Sequence, residues 1–139
     1  MTKLMRQSFS IEGDLYQKLE QMRKKSRYQN RSEFLRDLIR HQTVQEEWGT
    51  NEEALGVLTL IYDHDTRNLN EKLNCLQHHH HHNHILAATH VHLDEHLCAE
   101  MIMIRGNARD IQKLADLMRQ QKGVLHAVLS MSSTGKKFR

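Results

Sequence analysis

Residues 85–106 read ILAATHVHLDEHLCAEMIMIRG. Residues 85–93 have the composition of a strand, Asp94-Glu95-His96 that of a tight turn, and 97–105 that of a second strand closed by Gly106. His90 and His92 are two apart on a strand, so their side chains share a face. Cys98 follows six residues after His92, across the turn, where a hairpin brings it beside them. Imidazole and thiolate donors gathered in this way suit a transition-metal ion.

Outward from this hairpin the chain alternates in a regular order. The run 55–62 is continuously apolar and reads as a buried strand. Residues 65–80 carry Leu69, Leu73 and Leu76 at helical spacing, with Asp65 as the expected N-cap. Residues 107–121 put Ile111, Leu114, Ala115 and Met118 on one helical face, and Gly123 ends that helix. Residues 124–131 are the last strand. The order is β-α-β-β-α-β, which predicts a four-stranded antiparallel, ferredoxin-like sheet with helices on one side. Its other face would need a partner, so oligomerisation is expected.

The first 48 residues follow a different plan. In 6–11, Arg6, Ser8 and Ser10 alternate with Gln7, Phe9 and Ile11, the period of a strand with one polar face. A helix over 14–26 carries Leu15, Leu19 and Met22 on one stripe. Tyr28-Gln29 makes the turn. Asn30 is placed to cap a second helix over 31–47, with Glu33 in capping-box register and Phe34, Leu35, Leu38 and Ile39 as its apolar face. One strand and two short helices cannot enclose a core. Pairing the strand with its twin in a dimer would make a two-stranded ribbon of the size that enters the DNA major groove. Arg6, Ser8 and Ser10 would face the bases. The start of the second helix, at Arg31 and Ser32, would face a phosphate. These features, with the turn Tyr28-Gln29-Asn30-Arg31-Ser32-Glu33, resemble a ribbon-helix-helix DNA-binding domain.

Charge agrees with this division. Residues 1–40 hold ten basic and five acidic side chains, a net of +5, whereas 49–131 hold seven and ten, a net of −3. A basic first segment suits a polyanion. No apolar run approaches a membrane span and the N-terminus has no signal-peptide pattern, so a cytoplasmic protein is expected. The two cysteines, Cys75 and Cys98, are too few for a disulfide scaffold. Cys75 is expected as buried filler. Four protein donors would leave no open metal position, and neither a phosphate-binding loop nor a nucleophile elbow is present, which argues against an enzyme.

Nine of the twelve histidines fall within residues 78–98. Most of the homopolymeric run, His79 to His82, together with His84, reads as a solvated loop or weak chelator. One histidine near its start, with His90, His92 and Cys98, would complete a four-donor set. Such a set can be tetrahedral for Zn(II) or planar for Ni(II) or Cu(II), and spacing alone does not choose.

Taken together, Asn30-Arg31-Ser32-Glu33, Tyr62-Asp63-His64, Gln77-His78, the stretch from His90 to Cys98 and Gly123-Val124 resemble the nickel-responsive transcription regulators, the NikR family. The resemblance covers nearly the whole chain. It implies an α+β protein: a ribbon-helix-helix DNA-binding and dimerisation domain over 1–48, then an ACT-type metal-binding, tetramerising domain over 49–139. It implies a homotetramer, a dimer of dimers, holding one Ni(II) per subunit in a square-planar site. His90, His92 and Cys98 would come from one subunit and the fourth histidine from a neighbour. It also implies nickel-dependent binding of a palindromic double-stranded DNA operator and repression of nickel uptake genes. Asn30, Arg31 and Ser32 join Arg6, Ser8 and Ser10 as DNA-binding candidates. A second cation site between the domains would use Glu33 and Asp37. The family's fourth ligand lies eleven residues before the first His of His-x-His, which gives His79. Counting forward from Tyr62-Asp63-His64 gives His78. His78 is preferred, because a loop after a helix absorbs an extra residue more easily than the helix does. A metal-buffering protein, or a copper or zinc sensor of the same architecture, is the alternative.

Overall fold

The computed structural model describes residues 3–79 and 83–139, with only the backbone of Asn83. Its elements are α1 (Gly13–Lys25), α2 (Arg31–Gly49), β1 (Glu53–Asp63), α3 (Leu69–His79), β2 (Asn83–His92), β3 (Leu97–Asn107), α4 (Ala108–Arg119), β4 (Val124–Ser132) and a final 3-10 turn (Lys136–Phe138). Two compact units emerge: residues 1–43 with 135–139, and residues 44–134. The division falls inside α2. The last turn of that helix belongs to the second unit, where Trp48 is buried and its indole donates to the Ser132 carbonyl at 2.9 Å.

In the first unit, the expected strand over 6–11 does not form in the single chain; residues 3–12 have no regular secondary structure and are exposed. A strand needs a hydrogen-bonding edge, and none of the described residues of one copy supplies it. The two helices appear as expected. Asn30 caps α2: its Oδ1 accepts from the backbone N–H of Ser32 at 2.8 Å and of Glu33 at 3.4 Å. The capping box is not closed, because the Glu33 carboxylate turns forward to Arg36 at 2.7 Å and Arg40 at 2.9 Å. Tyr28 packs on the buried ring of Phe34, and α1 buries no residue of its own. Leu15, Tyr16 and Met22 are left open to a partner.

The second unit is one antiparallel sheet in the order β2-β3-β1-β4. The register sets Ala54, Leu58, Leu60 and Tyr62 of β1 on the same face as Cys98, Glu100, Ile102 and Ile104 of β3, all of them buried. Helix α4 covers this face with Ile111, Leu114, Ala115 and Met118, the stripe expected from the sequence. Close packing needs Gly56, since a Cβ there would stand 3.0 Å from Ile111 and 3.1 Å from Leu129. The opposite face leaves Val91, Met101, Met103 and Val128 exposed. The polar segment between α2 and β1 is tied to the start of α4. Glu52 accepts from the Ala108 N–H, and the Asn51 side chain from the Arg109 N–H. Those bonds satisfy two of the donors that a helix start leaves open.

Helix α3 starts later than expected, at Leu69. Asp65 does not cap it: Asp65 N–H donates to Asp63 Oδ1 at 2.9 Å, and Asn68 takes a left-handed φ of 62° that stops the helix from extending upstream.

One acid-sensitive cluster braces the first unit. The Glu20 carboxylate accepts from Arg23 and Arg31, and these hydrogen bonds hold its pKa at about 2, against an ordinary value of 4.5. Folding therefore favours the ionised form, and this stabilisation is present above pH 4.5 and lost as pH falls toward about 2. Protection factors of the α1 and α2 amides, which remove the pH dependence of intrinsic exchange, should fall across that interval in the native chain. In Glu20→Gln the acid-dependent part of the change should be absent; an unaltered pH profile would contradict this assignment.

Candidate metal centre and nucleic-acid interface

The register that builds the core also gathers the soft donors. Tyr62 of β1 pairs with Cys98 of β3, which pairs with His92 of β2; one row over, Leu60, Glu100 and His90 align in the same way. All six therefore stand on the helix-covered face, at the end of the sheet. Cys98 is fully buried, while His92 and His90 lie on an edge strand and stay exposed. Beyond β1, the backbone N–H of His64 donates to the His96 carbonyl at 2.7 Å, which fixes the chain there.

Three donors converge within one chain. The Cys98 Sγ is 3.3 Å from His64 Nδ1 and 3.4 Å from His92 Nδ1, and the three donor atoms lie within 4.8 Å of one another. A metal ion bound to sulfur at about 2.3 Å and to nitrogen at about 2.0–2.1 Å, with tetrahedral angles, holds those two donors about 3.5 Å apart. The observed spacing thus fits a single ion. His92 and Cys98 meet as their sequence spacing predicted. His64 was not predicted as a donor. Its sequence signal is non-local: it lies two residues past Tyr62, whose partner across the sheet is Cys98.

His90 is close but differently engaged. Its ring centroid is 5.0 Å from that of His92, and its Nδ1 is 2.8 Å from the Tyr62 hydroxyl. His78 and His79 end α3 and are outside the three-donor group of this chain. His79 turns back along its own helix, with Nδ1 2.9 Å from the Cys75 carbonyl and 3.4 Å from the Cys75 Sγ. Among the described residues nothing hydrogen-bonds the His78 ring. Cys75 is exposed, contrary to the expectation that it fills the core, because it lies off the Leu69–Leu73 stripe. His84 lies exposed on β2, and the rest of the run, His80 to His82, lies outside the described residues.

The electrostatics suit a cation. Burial, then the nearby Asp94 and Asp65, push the Cys98 thiol above its ordinary pKa, so it holds its proton at neutral pH. A bound metal ion would reverse this by deprotonating the thiol. Glu100 is buried and accepts from the Gln77 amide at 3.0 Å. His96 is held protonated more strongly than usual by its 2.7 Å bond to Asp65.

Of the nucleic-acid candidates, Arg6, Ser8 and Ser10 are exposed. Asn30 is the cap of α2, and Ser32 is exposed one residue inside the helix. Arg31 is engaged, bonded to Glu20 and lying 5.2 Å over the Tyr16 ring. The second-cation candidates are also engaged: Glu33 by Arg36 and Arg40, and Asp37 by the Tyr28 hydroxyl at 2.6 Å.

Because the thiol starts protonated, ion binding must expel one proton from Cys98. Nickel affinity of the full chain, followed through the thiolate absorption, should rise about tenfold per pH unit above the histidine range. A flat profile would exclude Cys98 as a thiolate donor.

Comparison with known proteins points to the same chemistry. Residues 55–132 match the model of the NikR C-terminal nickel-binding domain, and residues 5–46 that of the copG-family ribbon-helix-helix proteins. Relatives named "Putative nickel-responsive regulator" include one from Pyrococcus horikoshii, 42% identical over 98% of this chain and 99% of its own length. Another, from Geobacter metallireducens, is 43% identical over 99% of each chain. A solved structure of an uncharacterized Thermotoga maritima protein matches 58% of this chain and 98% of its own with a TM-score of 0.51; at 18% identity it supports the fold alone. These regulators are not enzymes, and among the described residues no helix is long and apolar enough to cross a membrane. A ribbon-helix-helix segment followed by a nickel-binding domain places this chain in the family of nickel-responsive transcription regulators.

Proposed function

We propose that the chain is a cytoplasmic, nickel-responsive repressor of nickel uptake genes. The observation that carries this reading is the buried Cys98 thiol with the His92 imidazole nitrogen at 3.4 Å, in a chain whose other segment is of the ribbon-helix-helix class. The resident ion would be Ni(II), one per subunit, held by His90, His92 and Cys98 with His78 of a second copy. That ion would supply a Lewis-acid centre whose donor set is complete only when two subunits contribute.

The chain's own residues do the rest. Cys98 gives up its proton to become a thiolate. His92 and His90 bring neutral imidazoles from the β2 edge. Gln77, bonded to Glu100, anchors the end of α3 beside His78. Assembly is supported by the apolar sheet face at Val91, Met101, Met103 and Val128, which one chain leaves uncovered. A homotetramer would cover it and place two ribbon-helix-helix dimers for a palindromic operator. Closing the donor set across subunits favours the assembly that can hold all the donors, and through it the DNA-binding arrangement. In that arrangement Arg6, Ser8 and Ser10 would read base edges, and the α2 start at Asn30, Arg31 and Ser32 would meet the phosphates.

A second reading, a zinc sensor of the same architecture, is favoured by His64, since His64, His92 and Cys98 already offer three donors in one chain.

Affinity for promoter fragments of nickel uptake genes, measured at fixed salt with nickel, with zinc and with neither, separates these readings. Fixed salt matters because phosphate contacts make affinity salt-dependent. Nickel should strengthen binding at least tenfold; equal affinities would remove the switch, and a response to zinc alone would favour the second reading. The planar nickel absorption should vanish in His78→Ala and persist in His79→Ala, and the reverse would make His79 the fourth ligand.

A further inference from the structure

We propose that Tyr62 and Asn70 are positioning residues that lock His90 in one tautomer and so decide which of its nitrogens can bind the metal. The inference rests on His90 being a ligand, as read above, and it concerns how that ligand is presented.

Tyr62 is 1% exposed, at the end of β1, and packs edge-on to His90 with ring centroids 5.9 Å apart. Its hydroxyl is 2.8 Å from Asn70 Oδ1 and 2.8 Å from His90 Nδ1. A phenol has one proton to give. The amide oxygen of Asn70 can only accept, so the Tyr62 O–H is donated there. The hydroxyl oxygen then accepts from His90, which requires the proton of the neutral imidazole to sit on Nδ1. The lone pair is left on Nε2, and that is the nitrogen His90 can present to an ion.

This makes His90 unlike its neighbours. His64 and His92 both direct Nδ1 toward Cys98. A centre that includes both His90 and His92 would therefore combine imidazoles presented through different nitrogens, and a chain lacking the Tyr62 hydroxyl has nothing among the described residues to impose that difference. Asn70 lies in the first turn of α3, the helix that ends at His79. One buried hydroxyl therefore joins β1, the start of α3 and the ligand on β2. Gln77 and Glu100 tie the other end of the same helix to β3. Partners that orient a metal-bound histidine typically change affinity by about 10–100-fold when removed.

The test uses the full-length protein. Nitrogen-15 NMR of the metal-free chain, above the histidine titration range, reads the His90 tautomer directly, and nickel titration reads affinity. Wild type should show His90 protonated on Nδ1. Tyr62→Phe should lose that preference and bind nickel about 10–100-fold more weakly. Asn70→Leu keeps the hydroxyl but removes its acceptor, so Tyr62 should donate to His90 Nδ1 and move the imidazole proton to Nε2. Asn70→Asp, which still accepts, should restore the wild-type tautomer and affinity. A mere loss of packing would not move the proton in Asn70→Leu and return it in Asn70→Asp. His90 protonated on Nε2 in wild type, or wild-type nickel affinity in both Tyr62→Phe and Asn70→Leu, overturns the inference. His90→Ala serves as the control: if it keeps the planar nickel absorption, the ligand reading itself fails, whereas its loss beside unaffected Tyr62→Phe rejects only the positioning role.

Discussion

The pairing register of β1, β3 and β2 is the constraint on which the rest depends. It sets Tyr62, Cys98 and His92 in one row and Leu60, Glu100 and His90 in the next. Side chains alternate between faces with a period of two, so a slip of one residue would send every donor to the opposite face. The apolar pattern prevents that slip. Leu58, Leu60, Ile102 and Ile104 are buried under α4 in the same register that aligns the donors. Core packing and metal chemistry are therefore specified by one alignment.

That alignment also explains where the centre lies. The helix-covered face is sealed along most of its length, and the donor rows are at its end, where β2 is an edge strand and its histidines reach solvent. Cys98 is buried yet lies beside two exposed imidazoles, so an ion can approach from outside and meet a thiol in a dry setting. Helix α3 flanks this opening. It is pinned by polar contacts near both ends, at Asn70 and at Gln77, and by the buried Leu69 and Leu73. Such a helix holds His78 and His79 at its end.

What could be read from the sequence was local. The hairpin from 85 to 105, the α4 stripe and the Asn30 cap follow from spacings of two, three or four residues, and the approach of His92 to Cys98 came with the hairpin, whereas His90 stands outside the three-donor group. What could not be read depends on distant contacts. His64 reaches Cys98 only because β1 pairs with β3. The start of α3 at Leu69 depends on the left-handed Asn68 and on Asp63 taking the Asp65 N–H. Trp48 draws the end of α2 into the second unit through Ser132, far away in sequence. The strand expected over 6–11 lacks a partner within one chain, so its alternating pattern cannot be expressed there.

The central claim is that the metal site is shared between subunits. Mixing two variants tests it most directly. His78→Ala and Cys98→Ala should each fail to give the planar, thiolate-coloured nickel spectrum alone. Unfolded, mixed and refolded together, they should regain it, because some hetero-oligomers combine an intact Cys98 set from one subunit with His78 from the other. No recovery after mixing, with both variants folded and oligomeric, would contradict a shared site and place all the donors within one chain.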